Sequence, residues 1–231
     1  MALADDIRTL RDRTLADLIA AHDYYADTKT AWDFLVRFVT AGTTFHTRNE
    51  ITGTVSTQVD LAGKAQRYIA EQLTEATFQQ FLSIFENFFF DLLRLWLTAH
   101  PKSLLGKQVD FRTVLEAPDK DAITELVVDR ELNDIAYKRP AGWFAYLEER
   151  TKLGLPATED IERFAESKAT RDALVHNRGV AGKSYESKAG RYSRHTDGER
   201  IDIPDDYHRA TWNLFCRLVP EICDAAIAKA A

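Results

Sequence analysis

Residues 162–192 read ERFAESKATRDALVHNRGVAGKSYESKAGRY, and within them Arg171, Asp172, His176 and Asn177 form RDALVHN at the end of a strongly helical stretch. Ile161, Phe164 and Ala165 recur ahead of it at helical spacing, and Thr158 and Asp160 stand where a helix start would be capped. Asn177 and Gly179 tolerate the left-handed backbone that closes helices, which predicts His176 in the last turn. There the exposed carbonyls favour a protonated imidazole, and Asp172, one turn earlier, is within reach of the ring. Arg171 and His176 together supply a fixed cation for phosphate oxygens and a group that moves protons near neutral pH. Ideal geometry sets a difficulty, because the helix turns about 500° between Arg171 and His176 and leaves them pointing about 140° apart.

Helical patterning extends over nearly the whole chain. The clearest helix is predicted from Gln58 to Ala99, in one piece or in two meeting near Gly63, and Pro101 stops it. Its later half sets Phe78, Phe81, Phe85, Phe88, Leu92, Trp96 and Ala99 on one stripe, the mark of a core face. Glu86 lies one turn from Leu82, Phe89, Phe90 and Leu93, so its carboxylate needs a partner. That partner is either a cation of the RDALVHN set, such as Arg171, or a structural Lys or Arg, or Glu86 stands at a dimer rim. A further helix is predicted from Asp119 to Tyr137, with Ile123, Leu126, Val127, Leu132 and Ile135 as its apolar side, until Pro140 interrupts. AGWFAYLEER then forms a short helix up to Gly154, and its Trp143, Phe144 and Tyr146 read as core filling rather than a base-stacking platform. The last helix starts after Ile203, with Pro204 near its first turn, Asp205 and Asp206 at its positive end, and Trp212, Phe215, Val219 and Ile222 buried.

Ahead of this body, Leu3–Asp27 and Thr30–Thr40 read as a helical pair, and the threonine-rich stretch Gly42–Thr57 as a loop or short hairpin. The expected fold is all-α: an N-terminal helical extension and Thr-rich loop over residues 1–57, then a helical domain over 58–231.

The 231 residues, 45% hydrophobic with 10 Gly and 6 Pro, suffice for one well-buried helical domain or a domain with an extension. MALADDIRTL contains two acids and no apolar run of signal-peptide kind, and FFFDLLRLWL is broken by Asp91 and Arg94. A soluble, cytoplasmic chain without a membrane partner is expected. Cys216 and Cys223 stand about 10 Å apart along a helix axis, too far for a disulfide and too few for a metal site, so they read as core thiols. Neither a metal nor a cofactor is expected. A net charge of −6 argues against indiscriminate coating of nucleic acid, yet Arg163 to His195 holds eight basic residues and three acidic ones, 8 − 3 = +5. Within it Arg178, Lys183, Tyr185, Lys188 and Arg191 are candidate substrate contacts, the alternative being an ordinary solvated face.

The helix bearing RDALVHN, the following VHNRGVAGKSY, the KAG turn and the closing helix together resemble ribonuclease members of the HEPN superfamily, over roughly residues 65–230. The resemblance implies a HEPN-like bundle that dimerises through these helices, so that Arg171 and His176 pairs of two protomers line a shared cleft. It implies a metal-independent endoribonuclease in which the RNA 2′-hydroxyl attacks the adjacent phosphorus, leaving a 2′,3′-cyclic phosphate and a 5′-hydroxyl. His176 moves the proton and Arg171 balances charge on the phosphate oxygens. Asp172 orients the imidazole or binds a ribose, and Asn177 positions the phosphate or holds the helix end. The implied setting is a toxin or anti-phage defence protein, held silent by an antitoxin or another defence-system chain. The alternatives are a non-catalytic HEPN-like dimeric module that binds RNA, nucleotide or a protein partner, and a structural helical domain whose His176 satisfies helix-end carbonyls.

Overall fold

The computed structural model describes residues 2–43 and 46–230, with the backbone alone at 58 and 59. Part of the threonine-rich stretch, at 44 and 45, lies outside the described residues, as do the chain ends at 1 and 231. The fold is all-α, with one small hairpin.

The aromatic stripe organises it. Helix α3 (Thr74–Ala99) buries Phe78, Phe81, Phe85, Phe88, Leu92 and Trp96 as its spacing predicts, together with Leu82, Phe89, Leu93 and Leu97 from the adjoining face. Ala99, at the frayed end of the stripe, is exposed. Helices α7 (Thr158–His176) and α9 (Asp205–Ala230) close on α3 through Phe164 and Phe215, whose rings lie 5.0 and 4.5 Å from that of Phe85. Fully burying three such rings is worth several kcal/mol, at roughly 1.5–3 kcal/mol each. Trp143, Phe144 and Tyr146 of α6 (Pro140–Thr151) fill the space beside Phe89 and Phe164. Cys223 lies in the same core, where burial pushes its thiol up to about 12, and Cys216 is partly buried with its thiol raised to about 11 for the same reason.

The N-terminal helical pair is a single helix, α1 (Ala2–Thr40), of 39 residues. No glycine or proline occurs before Gly42, so nothing at Asp27–Lys29 breaks the hydrogen-bond ladder. Its first half belongs to the same core as α3 and α9, with Ile7, Leu10, Leu18 and Ala21 buried and the Leu18 carbonyl accepting from Trp212 Nε1 at 3.0 Å. The second half runs past the core and leaves Phe34 and Phe38 more than half exposed. Strands β1 (Thr47–Arg48) and β2 (Val55–Ser56) pair antiparallel as a hairpin, and Asn49 Oδ1 accepts from the Ile51 and Thr52 amides at 2.9 Å to shape its turn.

Helix α2 (Gln58–Arg67), capped by Thr57 and Asp60, passes through Gly63 without a break. The ladder changes later, at the π-helical turn Tyr68–Leu73, where the Thr74 hydroxyl donates to the Ile69 carbonyl at 2.7 Å. Gly63 thus does not end the helix, and the wider π-helical turn joins α2 to α3. Between α3 and α6 stand the short helix α4 (Phe111–Glu116), which sequence patterning did not reveal, and α5 (Lys120–Ala136), capped by Asp119. The buried stripe of α5 is Val128, Leu132 and Ile135; Leu126, expected inside, is about half exposed. No helix among the described residues is long and apolar enough to cross a membrane.

Candidate functional site

Helix α7 begins after Ala157 without a side-chain cap; Thr158 and Asp160 do not serve as one, and Asp160 instead pairs with Arg217 at 2.5 Å. It ends at His176, where the sequence places it. Closure there is made by Arg178 and Gly179, with φ of +54° and +73°, and not by Asn177, whose φ is −125°. The Asn177 and Gly179 amides both donate to the Ala173 carbonyl at 3.0 Å, and Asn177 Nδ2 donates to the Val180 carbonyl at 2.6 Å. Asn177 therefore holds the helix end. A β-bridge from Val180 to Arg200 and the pair Ile201 N to Gly179 O, 2.8 Å, fasten the following loop.

Helix α8 (Lys183–Ala189) lies against α7 on a layer of small residues, Ala169, Ala173, Ala181 and Ala189, with Tyr185 buried among them. Small side chains bring the helices close and leave a cavity of about 350 Å³ at their open end. Asp172, His176, Asn177, Lys183, Ser184, Tyr185 and Lys188 line it. His176 is exposed there, and among the described residues no group hydrogen-bonds its ring.

Arg171 does not share that cavity. Its Nη2 donates to Glu86 Oε1 at 2.6 Å, and Lys168 Nζ reaches the same oxygen at 2.6 Å, so Glu86 carries two cations on the α3 side of α7. Of the partners weighed for Glu86, it holds two at once, Arg171 and a Lys, Lys168, at equal distance. The three side chains are 17–19% exposed, which makes this a largely buried ion triad. Asp172 does not reach His176: Oδ1 lies 3.5 Å from Arg171 Nε and Oδ2 accepts from Lys188 at 3.2 Å. Its oxygens are taken up by these two cations instead.

Most of these basic residues are paired, by acids of the stretch itself, by Glu159 and Glu162 just ahead of it, and by the distant Glu86. Arg163 pairs with Glu159, Lys168 and Arg171 with Glu86, Lys188 with Asp172, Arg191 with Glu162 and Arg194 with Glu166. Arg178 and Lys183 have no acidic partner among the described residues; Arg178 and Arg191 lie outside the cavity, and Lys183 lines it. Tyr185 is not free to bind phosphate, since its buried hydroxyl donates to Glu166 Oε1 at 3.0 Å and accepts from the Arg194 amide.

That bond belongs to a network the sequence reading missed. Glu166, at 3% exposure, also accepts from Thr170 at 2.9 Å, Tyr207 at 2.6 Å and Arg194 Nε at 3.2 Å. Burial, then the neighbouring Glu166, holds the Tyr207 phenol well above its usual range, so it stays a donor. The Arg194 guanidinium lies 3.5 Å over the Tyr207 ring. One turn into α9, His208 is buried with its Nε2 2.8 Å from the Thr77 hydroxyl, and burial lowers its pKa to about 4. Among the described residues no group of three or more His, Cys, Asp or Glu is placed to hold a metal ion.

No family model, no curated protein and no solved structure matches this chain.

Proposed function

We propose that the chain is a metal-independent endoribonuclease of HEPN type that works as a homodimer. The observation that carries this reading is the open imidazole of His176, exposed at a cavity of about 350 Å³ that also holds Lys183 and Lys188. The volume falls in the range of small-ligand sites, enough for a ribose and its phosphate. The 2′-hydroxyl oxygen bonds to the adjacent phosphorus while the bond to the 5′-oxygen breaks. His176 takes the hydroxyl proton or returns one to the leaving oxygen. DNA lacks the nucleophile and is bound at most.

Arg171 stabilises charge on the phosphate oxygens. Within one protomer Glu86 engages its Nη2 and directs it away from the His176 cavity. In the dimer, packing around α7 brings the exposed edge of Arg171 to the shared cleft. Asn177 holds the helix end, and Asp172 steadies Lys188 and Arg171. The setting that this reading implies is a cytoplasmic toxin or anti-phage defence protein silenced by an antitoxin or another defence chain.

One observation favours a second reading, a non-catalytic dimeric module that binds RNA, nucleotide or a protein: Arg171 is already neutralised by Glu86. Incubating mixed cellular RNA with the protein in EDTA, beside His176→Ala and Arg171→Ala, separates the two. Cleavage by the parent alone supports the enzyme; RNA binding by all three without cleavage supports the module.

A further inference from the structure

Asp172 stands between two cations that use it unequally. Its Oδ2 accepts from Lys188 Nζ of α8 at 3.2 Å, while its Oδ1 lies 3.5 Å from Arg171 Nε. The second distance is long for an N–H donor, and Arg171 Nε is buried with no hydrogen-bond partner among the described residues. A buried donor left unpaired is costly. The far end of Arg171 is fixed, since Nη2 donates to Glu86 at 2.6 Å. A small approach of the Asp172 carboxylate makes the missing bond.

Lys188 is the looser of the two cations. Its side chain is 41% exposed against 19% for Arg171, and among the described residues Asp172 is its one acidic partner. Its charge rides on a flexible four-carbon stem. Both Lys188 and Asp172 line the His176 cavity, where Lys183 is the other cation and Asp172 the one acid among the lining residues. Asp172 thus masks positive charge that an entering anion would otherwise meet. A phosphate group brings more oxygens than a carboxylate and at least equal charge, so it competes for the Lys188 ammonium. The carboxylate that Lys188 leaves is not stranded, because Arg171 Nε waits beside it. One charge-assisted bond is exchanged for two, Lys188 to phosphate and Arg171 to Asp172.

We infer that Lys188 is a phosphate-binding residue of the His176 cavity, latched by Asp172 and released to an entering phosphate as Asp172 closes on Arg171 Nε. Only the choice of an RNA strand as the source of that phosphate rests on the ribonuclease reading. Within one protomer Arg171 then acts as a positioning residue, through Asp172.

Calorimetric titration with a trinucleotide built on 2′-deoxyribose, which lacks the attacking hydroxyl, and with inorganic phosphate tests the latch without any cleavage. Lys188→Ala is expected to bind the trinucleotide about tenfold more weakly than the parent. Asp172→Asn, which unlatches Lys188 at unchanged side-chain size, is expected to bind it about threefold more tightly. Removing a negative charge helps any anion, so the deciding comparison is Asp172→Asn in a Lys188→Ala background, where the gain should vanish. An equal gain in both backgrounds, parent-like affinity in Lys188→Ala, or no binding of either ligand by the parent would overturn the latch. Inorganic phosphate binding as tightly as the trinucleotide, with the same dependence on Lys188, would sustain the latch and replace the strand by a free phosphate. Lys188-dependent trinucleotide binding by a protein that cuts no RNA would sustain the latch and sink the ribonuclease reading alone.

Discussion

Arg171 and His176 lie on one helix yet serve different neighbours: the guanidinium is 2.6 Å from Glu86 on α3, and the imidazole opens into the cavity against α8. The rotation of an α-helix accounts for this, since residues five apart sit about 140° from one another. The imidazole and the guanidinium are thus held by separate supports, and each can be altered alone.

Glu86 is the nearest acid to two largely buried cations, Lys168 and Arg171, the second of which also has Asp172 at 3.5 Å. Glu86→Gln is expected to lower stability by about 1–3 kcal/mol, because Arg171 and Lys168 then share a neutral partner. Urea unfolding of parent and variant measures it; a loss under a few tenths of a kcal/mol would show that the triad is held by solvent.

The Glu166 network ties α7, α8 and α9 together through Tyr185, Tyr207 and Arg194. Removing one donor, in Tyr207→Phe, should cost about 1–2 kcal/mol. Glu166→Ala should cost more, since it strands Arg194 and two phenols. Denaturation midpoints compared at pH 7 check the order.

His208 gives a pH dependence with a definite sign. Its folded pKa, about 4, lies below the ordinary 6.5, so the unfolded chain binds the proton more readily. The associated stability is complete above pH 6.5 and is lost as the pH falls toward 4. Between pH 7 and 5 the parent should lose about 2 kcal/mol from this group. In His208→Gln that part of the loss should disappear; an unchanged pH profile would remove His208 from the account.

Lys183 lines the His176 cavity without an acidic partner, whereas Arg191 is paired with Glu162 at 2.5 Å. Lys183→Ala should therefore weaken RNA binding and reduce its salt slope by about one, and Arg191→Ala should change both less. Titrations at several salt concentrations would expose the reverse order if the pairing does not matter.

Much of the fold was legible because its signals are local. The spacing of Phe78, Phe81, Phe85 and Phe88 fixes the buried face of α3, and the left-handed tolerance around Gly179 fixes the end of α7. What escaped depends on distant partners. Glu166 gains its meaning from Arg194 and Tyr207, 28 and 41 residues away, and nothing near it in the chain distinguishes it from a surface acid. A surplus of basic residues likewise says nothing of the acids that pair with them: Glu86 reaches Arg171 across 85 residues. Asp172 one turn from His176 suggested a bond that Lys188, from α8, takes instead. The continuity of α1 was open to reading, since no glycine or proline interrupts it, but its slackening apolar pattern after Tyr25 resembles a break.

The most direct measurement is the chemistry of the ends left on RNA cut in EDTA, read by mass spectrometry for the parent and for His176→Ala. The parent is expected to leave 2′,3′-cyclic phosphate and 5′-hydroxyl ends, and the variant to lose at least about a hundredfold in rate. Intact RNA with the parent, or equal cutting by both proteins, would contradict it.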